Sequence, residues 1–466
     1  MDMNNNTTTG SALSVINIGE ILDNSKLNKL SMRVLVICFI FMMVDGYDYG
    51  IISNAAPLIM REWDIDAAMF GPVFSVATFG WLLGAIIFGF LSDKLGRKLP
   101  LLIGGVLFTF CTLAIFFSHT LTELLVWRFV TGFGAGGVVP VSMVMTSEYS
   151  SAKSRAKFIT IMFSGFVIGS TMGSFIAAGM MPAFGWRSIF LLGAFLPIPA
   201  ILLVFFVLPE SARWLVANMK TPKQKAMLIK QIKMLIPGCE INDSTQFISN
   251  TQAKKKSEKH SIKLLFEGKL AWVTPMLWIF YASSSLAVFF IGNWMPQLLT
   301  LKGYTAGQAS AMVGTSGVFG IAGTILVGLW LDKFGMRWGM IWPLITIGCT
   351  ALIGGSMGAV LMVWICMNAF FMNGGHTIGT VIVPVICPYN VRAQGTGLAN
   401  AAARVGSIIG PIIGGILISI GVPMTTLFYF VALPFVLNTF LVWILGRSYD
   451  FHFKYINEGR TVPGKN

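Results

Sequence analysis

Apolar runs of about twenty residues recur along nearly the whole chain, separated by short polar stretches. A run of that length crosses the hydrocarbon core of a bilayer as a helix, because each residue adds about 1.5 Å. Water is absent there, so each backbone N–H and C=O must bond within its own segment. An all-α membrane protein is therefore expected. Twelve spans are predicted, near 33–57, 70–92, 100–118, 121–146, 157–180, 187–208, 270–298, 306–330, 339–358, 361–386, 394–420 and 424–446. Charged residues make up 11% of the 466, against about 25% in soluble domains.

The distribution of charge sets the expected topology. Of 33 Lys and Arg, 28 fall on the side of the termini. Three (Arg61, Arg187, Lys302) fall on the other side, and Arg128 and Arg404 lie within spans. Positive charge gathers in cytoplasmic loops, so both termini are expected in the cytoplasm. The net charge of +14 then reports topology, and nucleic-acid binding is not expected. The first 31 residues are polar and lack the apolar core of a signal peptide, so a cytoplasmic tail is expected. The division is a tail (1–31), a six-helix half (32–208), a central loop (209–269), a second half (270–446) and a tail (447–466). The loop reads as a solvated linker, with Lys254-Lys255-Lys256 as a potential contact for anionic lipid. Six cysteines at 38, 111, 239, 349, 366 and 387 show no metal or disulfide spacing and are expected to pack.

The first span holds an exception, Asp45-Gly46-Tyr47-Asp48. A charge at a helix centre costs roughly 2.5–3.5 kcal/mol on insertion scales. Residues three apart share a helix face, so Asp45 and Asp48 are expected to point into one space. The plainer reading is that one aspartate caps a helix break beside Gly46.

The two halves repeat. Gly89-Phe-Leu-Ser-Asp93-Lys94-Leu-Gly96-Arg97 follows the second span, and Gly328-Leu-Trp-Leu-Asp332-Lys333-Phe-Gly335-Met-Arg337 follows the eighth. Internal repeats of this kind mark transporter folds, with substrate bound near the midplane between them. Asp93, Gly96, Arg97, Asp332 and Arg337 read as a latch, in which the acid caps a helix or pairs with a neighbouring base. Twelve spans, a central loop and this doubled turn resemble the major facilitator superfamily. The Asp45–Asp48 stretch, with Pro209-Glu210-Ser211-Ala212-Arg213-Trp214-Leu215, is similar to the aromatic acid:proton symporter family. Sugar porters share the second motif, but they normally carry a Pro-Glu-Thr-Lys-Gly-like signature where this chain has Leu445-Gly446-Arg447-Ser448. The Gly-Pro pair typical of the fifth span of drug:proton antiporters is replaced by Gly169-Ser170-Thr171-Met172-Gly173.

The remaining membrane-depth charges supply candidate roles. Arg128 lies roughly 10 Å from the outer end of its span and Asp45 roughly 20 Å from the inner end of its own, counting 1.5 Å per residue. These are similar depths, so Arg128 reads either as a substrate ligand or as a structural partner of Asp45. Ile365 stands at the equivalent place in the second half, which favours function over folding. Gly132 and Gly136 predict a close helix contact. Arg404 sits about ten residues into the eleventh span, with no acid in spans seven to twelve. Its planar fork suits a carboxylate, and it is the better candidate for a substrate counter-ion. Tyr47, Asn293, Trp294 and Gln297 are candidates for bonding or stacking against a ring. His376 reads as a proton relay or as a histidine bonded to a neighbouring helix. The resemblance implies roles for Glu148 and Arg392, as gate salt bridges or solvated helix ends.

These readings predict proton-coupled uptake of a benzoate- or hydroxybenzoate-like carboxylate by alternating access in the inner membrane. Asp45 and Asp48 would carry the proton, and Arg404 and Arg128 the anion. The expected partners are the aromatic carboxylate, protons and membrane lipid, with the protein a monomer; no cofactor, metal or enzymatic activity is expected. The rivals are a symporter of another organic acid, a sugar-type facilitator, and a non-transporting membrane sensor.

Overall fold

The computed structural model describes residues 15–24, 28–151, 154–219, 221–235, 245–248, 265–267, 270–387 and 392–457. Twelve of its helices are long and apolar enough to cross a membrane. In the first half they are α1 (Lys29–Trp63), α2 (Ala67–Leu95), α3 (Lys98–Phe116), α4 (Leu121–Glu148), α5 (Arg155–Phe184) and α6 (Arg187–Phe206). In the second they are α7 (Leu270–Leu301), α8 (Ala306–Phe334), α9 (Met336–Gly355), α10 (Gly358–Ile386), α11 (Arg392–Ser419) and α12 (Met424–Asn457). Polar residues between the apolar runs start them. Asp66 and Thr120 accept the N–H groups of Met69 and Glu123, and Thr305 with Gln308 closes a capping box. The glycines of the doubled turn, Gly96 and Gly335, have φ of 95° and 85°, a backbone region that disfavours any residue with a Cβ.

Both halves pair their helices in the same way. α1 lies on α5 and α2 on α4, as α7 lies on α11 and α8 on α10. The predicted small-residue contact is present: a Cβ on Gly132 or Gly136 would run into the α2 backbone at Ala77 or Trp81. Gly132→Val and Gly136→Val are each expected to destabilise the protein by roughly 1–3 kcal/mol. The loss should register as earlier thermal aggregation of detergent-solubilised protein, and an unchanged transition would contradict the packing described.

The halves meet along two seams, α2 with α11 and α5 with α8. In the first, the Ala68 N–H donates to Ser419 Oγ at 2.7 Å and Ser75 Oγ to the Ile408 carbonyl at 2.6 Å. In the second, Gly314 faces the Phe175 ring and Gly317 faces Thr171. All these contacts lie toward the ends remote from the termini. A Cβ at Gly89, Gly328 or Gly397, near the opposite ends of α2, α8 and α11, would meet nothing within 4 Å. The described contacts of both seams thus lie on the far side.

The central segment is more than a solvated linker. Helices Ala212–Asn218 and Pro222–Leu235 pack under the first half, burying Leu215, Leu228 and Ile232. The chain's start joins them: β1 (Val15–Asn17) pairs in parallel with β2 (Gln246–Ile248), and Ile18 and Leu22 are buried in the same cluster. Asp23 binds both Arg155 and Arg213, the latter at 2.8 Å. Lys254-Lys255-Lys256 lies outside the described residues. The five described cysteines are buried and form no disulfide among the described residues.

Candidate functional site

Successive residues on a helix are rotated by about 100°, so the Asp45–Asp48 stretch distributes its side chains to different surroundings. Gly46 faces α5 so closely that a Cβ would strike the Phe166 backbone. Tyr47 turns into the first half, where its hydroxyl donates to the Ile189 carbonyl at 2.9 Å and the residue is 2% exposed. Asp48 reaches Arg128 on α4, with Oδ2 and Nη1 2.6 Å apart and both residues buried. Asp45 remains partly exposed at mid-membrane, without a hydrogen-bond or ion-pair partner among the described residues. It lies within electrostatic range of Asp48, Arg404 and Arg128.

Two sequence expectations change here. Arg128 pairs with Asp48 rather than with Asp45, through Nη1 alone, with its Nε buried and unpartnered among the described residues. Tyr47 is enclosed by packing and presents nothing to a ligand. Helix rotation at one position decides both, and counting residues from a span's end does not resolve it.

Arg404 differs from Arg128 in having no hydrogen-bonded acid among the described residues and in being partly exposed. Its guanidinium lies 3.7 Å from the centroid of the Trp81 ring, on α2 of the opposite half. The side chain is partly exposed, and none of its N–H groups has a hydrogen-bond partner among the described residues. A guanidinium carries five N–H donors in a planar fork. Its nearest acid is Asp45, close enough for the two charges to interact. One half thus contributes Asp45 and the other Arg404, about one helical turn along α11 from the Ile408 contact of the α2–α11 seam.

The aromatic and amide candidates on α7 fare less well. Trp294 is fully buried, donates Nε1–H to the Pro411 carbonyl at 2.9 Å, and packs edge-on against Phe74 of the other half. It is a structural joint between helices and offers no free face. Asn293 is buried and donates to the Phe289 carbonyl at 2.9 Å, and Gln297 is partly exposed beside Thr300. Tyr49, two residues on from Tyr47, lies instead at the interface of the halves. It is partly exposed, its ring lies 5.7 Å from those of Phe166 and Phe289, and it faces Gly292 of α7 across the interface. His376 shares a 2.9 Å hydrogen bond with Ser284 of α7 and lies edge-on to Tyr281. That is the neighbour-helix arrangement, placed within range of the Arg404 charge.

Away from the membrane centre, the first doubled turn is built into a network. Arg97 binds Asp93 at 2.9 Å and approaches Glu148 at 3.6 Å. Glu148 accepts the Ser211 hydroxyl, and Trp214 Nε1–H donates to the Asp93 carbonyl. Glu210 accepts the N–H of Arg97 at 2.6 Å and lies 3.3 Å from that of Lys98, so it satisfies the first donors of α3. Burial raises the Glu210 pKa, against the pull of these backbone donors. The Pro209–Leu215 motif includes Glu210 but does not show this role, because a cap supplied from over a hundred residues away has no local spacing. In the second half Asp332 and Arg337 are exposed, with Arg337 over the Trp338 ring. Arg392 begins α11, and its side chain lies outside the described residues.

The profile of the Major Facilitator Superfamily matches residues 38–328 and 277–454. This chain belongs to the major facilitator superfamily. It is therefore a multi-pass membrane transporter and not an enzyme. Several curated superfamily members align with nearly its whole length. The benzoate transport protein of Acinetobacter baylyi is 30% identical, covering 92% of each chain. The gallate transporter of Pseudomonas putida is 31% identical over 90% of this chain and 92% of its own. The 4-hydroxybenzoate transporter PcaK of A. baylyi is 29% identical over 85% and 87%. Among solved superfamily structures, the inward-open xylose transporter XylE from E. coli superposes with a TM-score of 0.67 at 18% identity, covering 89% of this chain and 95% of that one. A bacterial homolog of the lysosomal transporter Spinster, inward-facing, gives 0.65 at 14% identity, covering 94% and 100%. At such identities these two show the fold alone.

Proposed function

We propose that this transporter carries an aromatic monocarboxylate across the inner membrane together with protons, by alternating access between its two halves. The observation that carries the reading is the Arg404 fork. It is the membrane-depth cation left without a hydrogen-bonded acid, whereas Arg128 is bound to Asp48. A carboxylate accepting two parallel N–H bonds from such a fork gains strength and orientation together. Similarity to transporters of benzoate, gallate and 4-hydroxybenzoate supports an aromatic substrate.

Asp45 is the proton site in this account, because it is partly exposed, unpaired, and within range of the anion-binding arginine. Asp48 and Arg128 hold α1 against α4. Binding of an anion at Arg404 and a proton at Asp45 leaves the centre without unpaired charge, and the halves then rock about the two seams. The side away from these seam contacts opens to the cytoplasm, where both termini lie, with the Arg97–Glu148–Glu210 network holding the first half rigid. The protein acts as a monomer in contact with lipid.

Thermal stabilisation of purified protein by a panel of ligands tests the substrate class. Benzoate, 4-hydroxybenzoate and gallate are expected to raise the transition, and aliphatic diacids and sugars to leave it unchanged. A sugar or diacid that stabilises while the aromatic acids do not would overturn the reading. Failure of reconstituted protein to move any solute would favour a sensor.

A further inference from the structure

The Arg404 side chain is anchored by one contact that no charge or motif explains, the face of Trp81. An arginine on a membrane helix has four side-chain torsions and strong reasons to bend toward the nearest acid. Here the guanidinium carbon instead sits over an indole on the other half, 3.7 Å from the ring centre. The Trp81 backbone packs closely against Gly136 of α4, and its side chain packs against the cluster of Val44, Phe108 and Ala135. Tryptophan gives the strongest cation–π face of the aromatic residues. An approach this close is made by the face of a guanidinium stacked on the ring, and stacking leaves its edges, where all five N–H groups lie, open to an incoming carboxylate. Asp45 is left as a through-space neighbour rather than a bonded partner.

We infer that Trp81 is the positioning residue of the anion site. Its indole seats the Arg404 guanidinium flat, so that the fork's edge faces the carboxylate of the substrate. The inference rests on the anion-binding role of Arg404 proposed above. Trp81 belongs to α2 and Arg404 to α11, so the site is shared between halves and is assembled where that seam is closed. Substrate affinity is thereby tied to the conformation of the carrier. A tryptophan that merely fills space would be replaceable by any large apolar side chain, and this one would not.

The test is initial-rate uptake of labelled benzoate by proteoliposomes containing wild-type protein, Trp81→Leu, Trp81→Tyr and Trp81→Phe, each also in an Arg404→Lys background. Trp81→Leu is expected to raise KM about tenfold, equivalent to ~1.4 kcal/mol, with Vmax within a factor of two. Trp81→Tyr and Trp81→Phe should fall between leucine and wild type. In the Arg404→Lys background, where a point charge has no plane to be seated, Trp81→Leu should raise KM by a clearly smaller factor than it does beside arginine. A wild-type KM in Trp81→Leu overturns the inference, as does a fall in Vmax with KM unchanged or an equal effect in both backgrounds. If the leucine variant fails to fold, the two ring variants decide: a KM graded from Trp to Phe supports the inference, and equal KM values overturn it. Absence of benzoate uptake by the wild type would overturn the substrate reading instead, a result distinct from all of these.

Discussion

Arg404→Ala is expected to abolish substrate-dependent thermal stabilisation and uptake while leaving the protein folded. Hydrogen bonds to a charged group contribute roughly 1.5–3 kcal/mol each. Losing two weakens binding by roughly 3–6 kcal/mol, more than a hundredfold. Arg404→Lys keeps the charge but not the planar fork and should fall between, weakened by roughly ten- to thirtyfold. The folded state should tolerate both, because Arg404 neutralises no buried acid through a hydrogen bond. Arg128→Ala provides the contrast. It leaves Asp48 buried beside no counter-charge, at a cost of roughly 3–5 kcal/mol, so it should lower the yield of folded protein before any transport is measured. Ligand titration by thermal shift, read beside size-exclusion profiles, separates the two arginines. Equal loss of folded protein in both would show that Arg404 is structural.

Asp45→Asn and Asp48→Asn should likewise fail in different ways, though they lie one helical turn apart. The amide introduced by Asp45→Asn cannot take up a proton at the centre, so net accumulation driven by a proton gradient should disappear. Exchange of labelled for unlabelled substrate needs no net proton movement and should persist near the wild-type rate. Asp48→Asn removes the counter-charge of Arg128, a contact made at 2.6 Å among buried residues, and is expected to destabilise the fold by roughly 3–5 kcal/mol. Replacing Asp48 and Arg128 together by apolar residues of similar size should restore much of that stability, because an intact buried pair gains little over good packing. Accumulation by Asp45→Asn at the wild-type level would remove Asp45 from the coupling scheme. Normal folding of Asp48→Asn would remove the structural role of the pair.

The architecture was legible in the sequence because its signals are local and long. Apolar length predicts twelve spans, and the doubled Gly-x-x-x-Asp-Lys-x-Gly turn reveals two halves. Its second glycine matches a positive φ in each copy, and the Gly132/Gly136 spacing announces a close helix contact. The site was legible in part. A charge at membrane depth stands out wherever it falls, so Asp45, Asp48, Arg128 and Arg404 were all found. Which acid meets which base depends on helix rotation and on the crossing of α1 with α4, and neither is written in one segment. Aromatic residues are harder, since a packed ring and a ligand-facing ring have the same composition around them. Tyr47 and Trp294 were expected at the site and lie in packing, whereas Tyr49 and Trp81 lie at the interface of the halves and had no distinguishing pattern among 9 Tyr and 13 Trp. The folded base beneath the first half was missed for a related reason. Its strand pair and the Asp23 ion pairs join segments separated by more than a hundred residues.

Concentrative uptake by purified, reconstituted protein tests the central claim most directly. Proteoliposomes with an acidic exterior and neutral lumen should accumulate labelled benzoate or 4-hydroxybenzoate above its external concentration. Protein-free liposomes serve to subtract diffusion of the neutral acid. The account predicts that this protein-dependent accumulation collapses on addition of a protonophore and is absent with Arg404→Ala. Accumulation indifferent to both the proton gradient and Arg404 would contradict it.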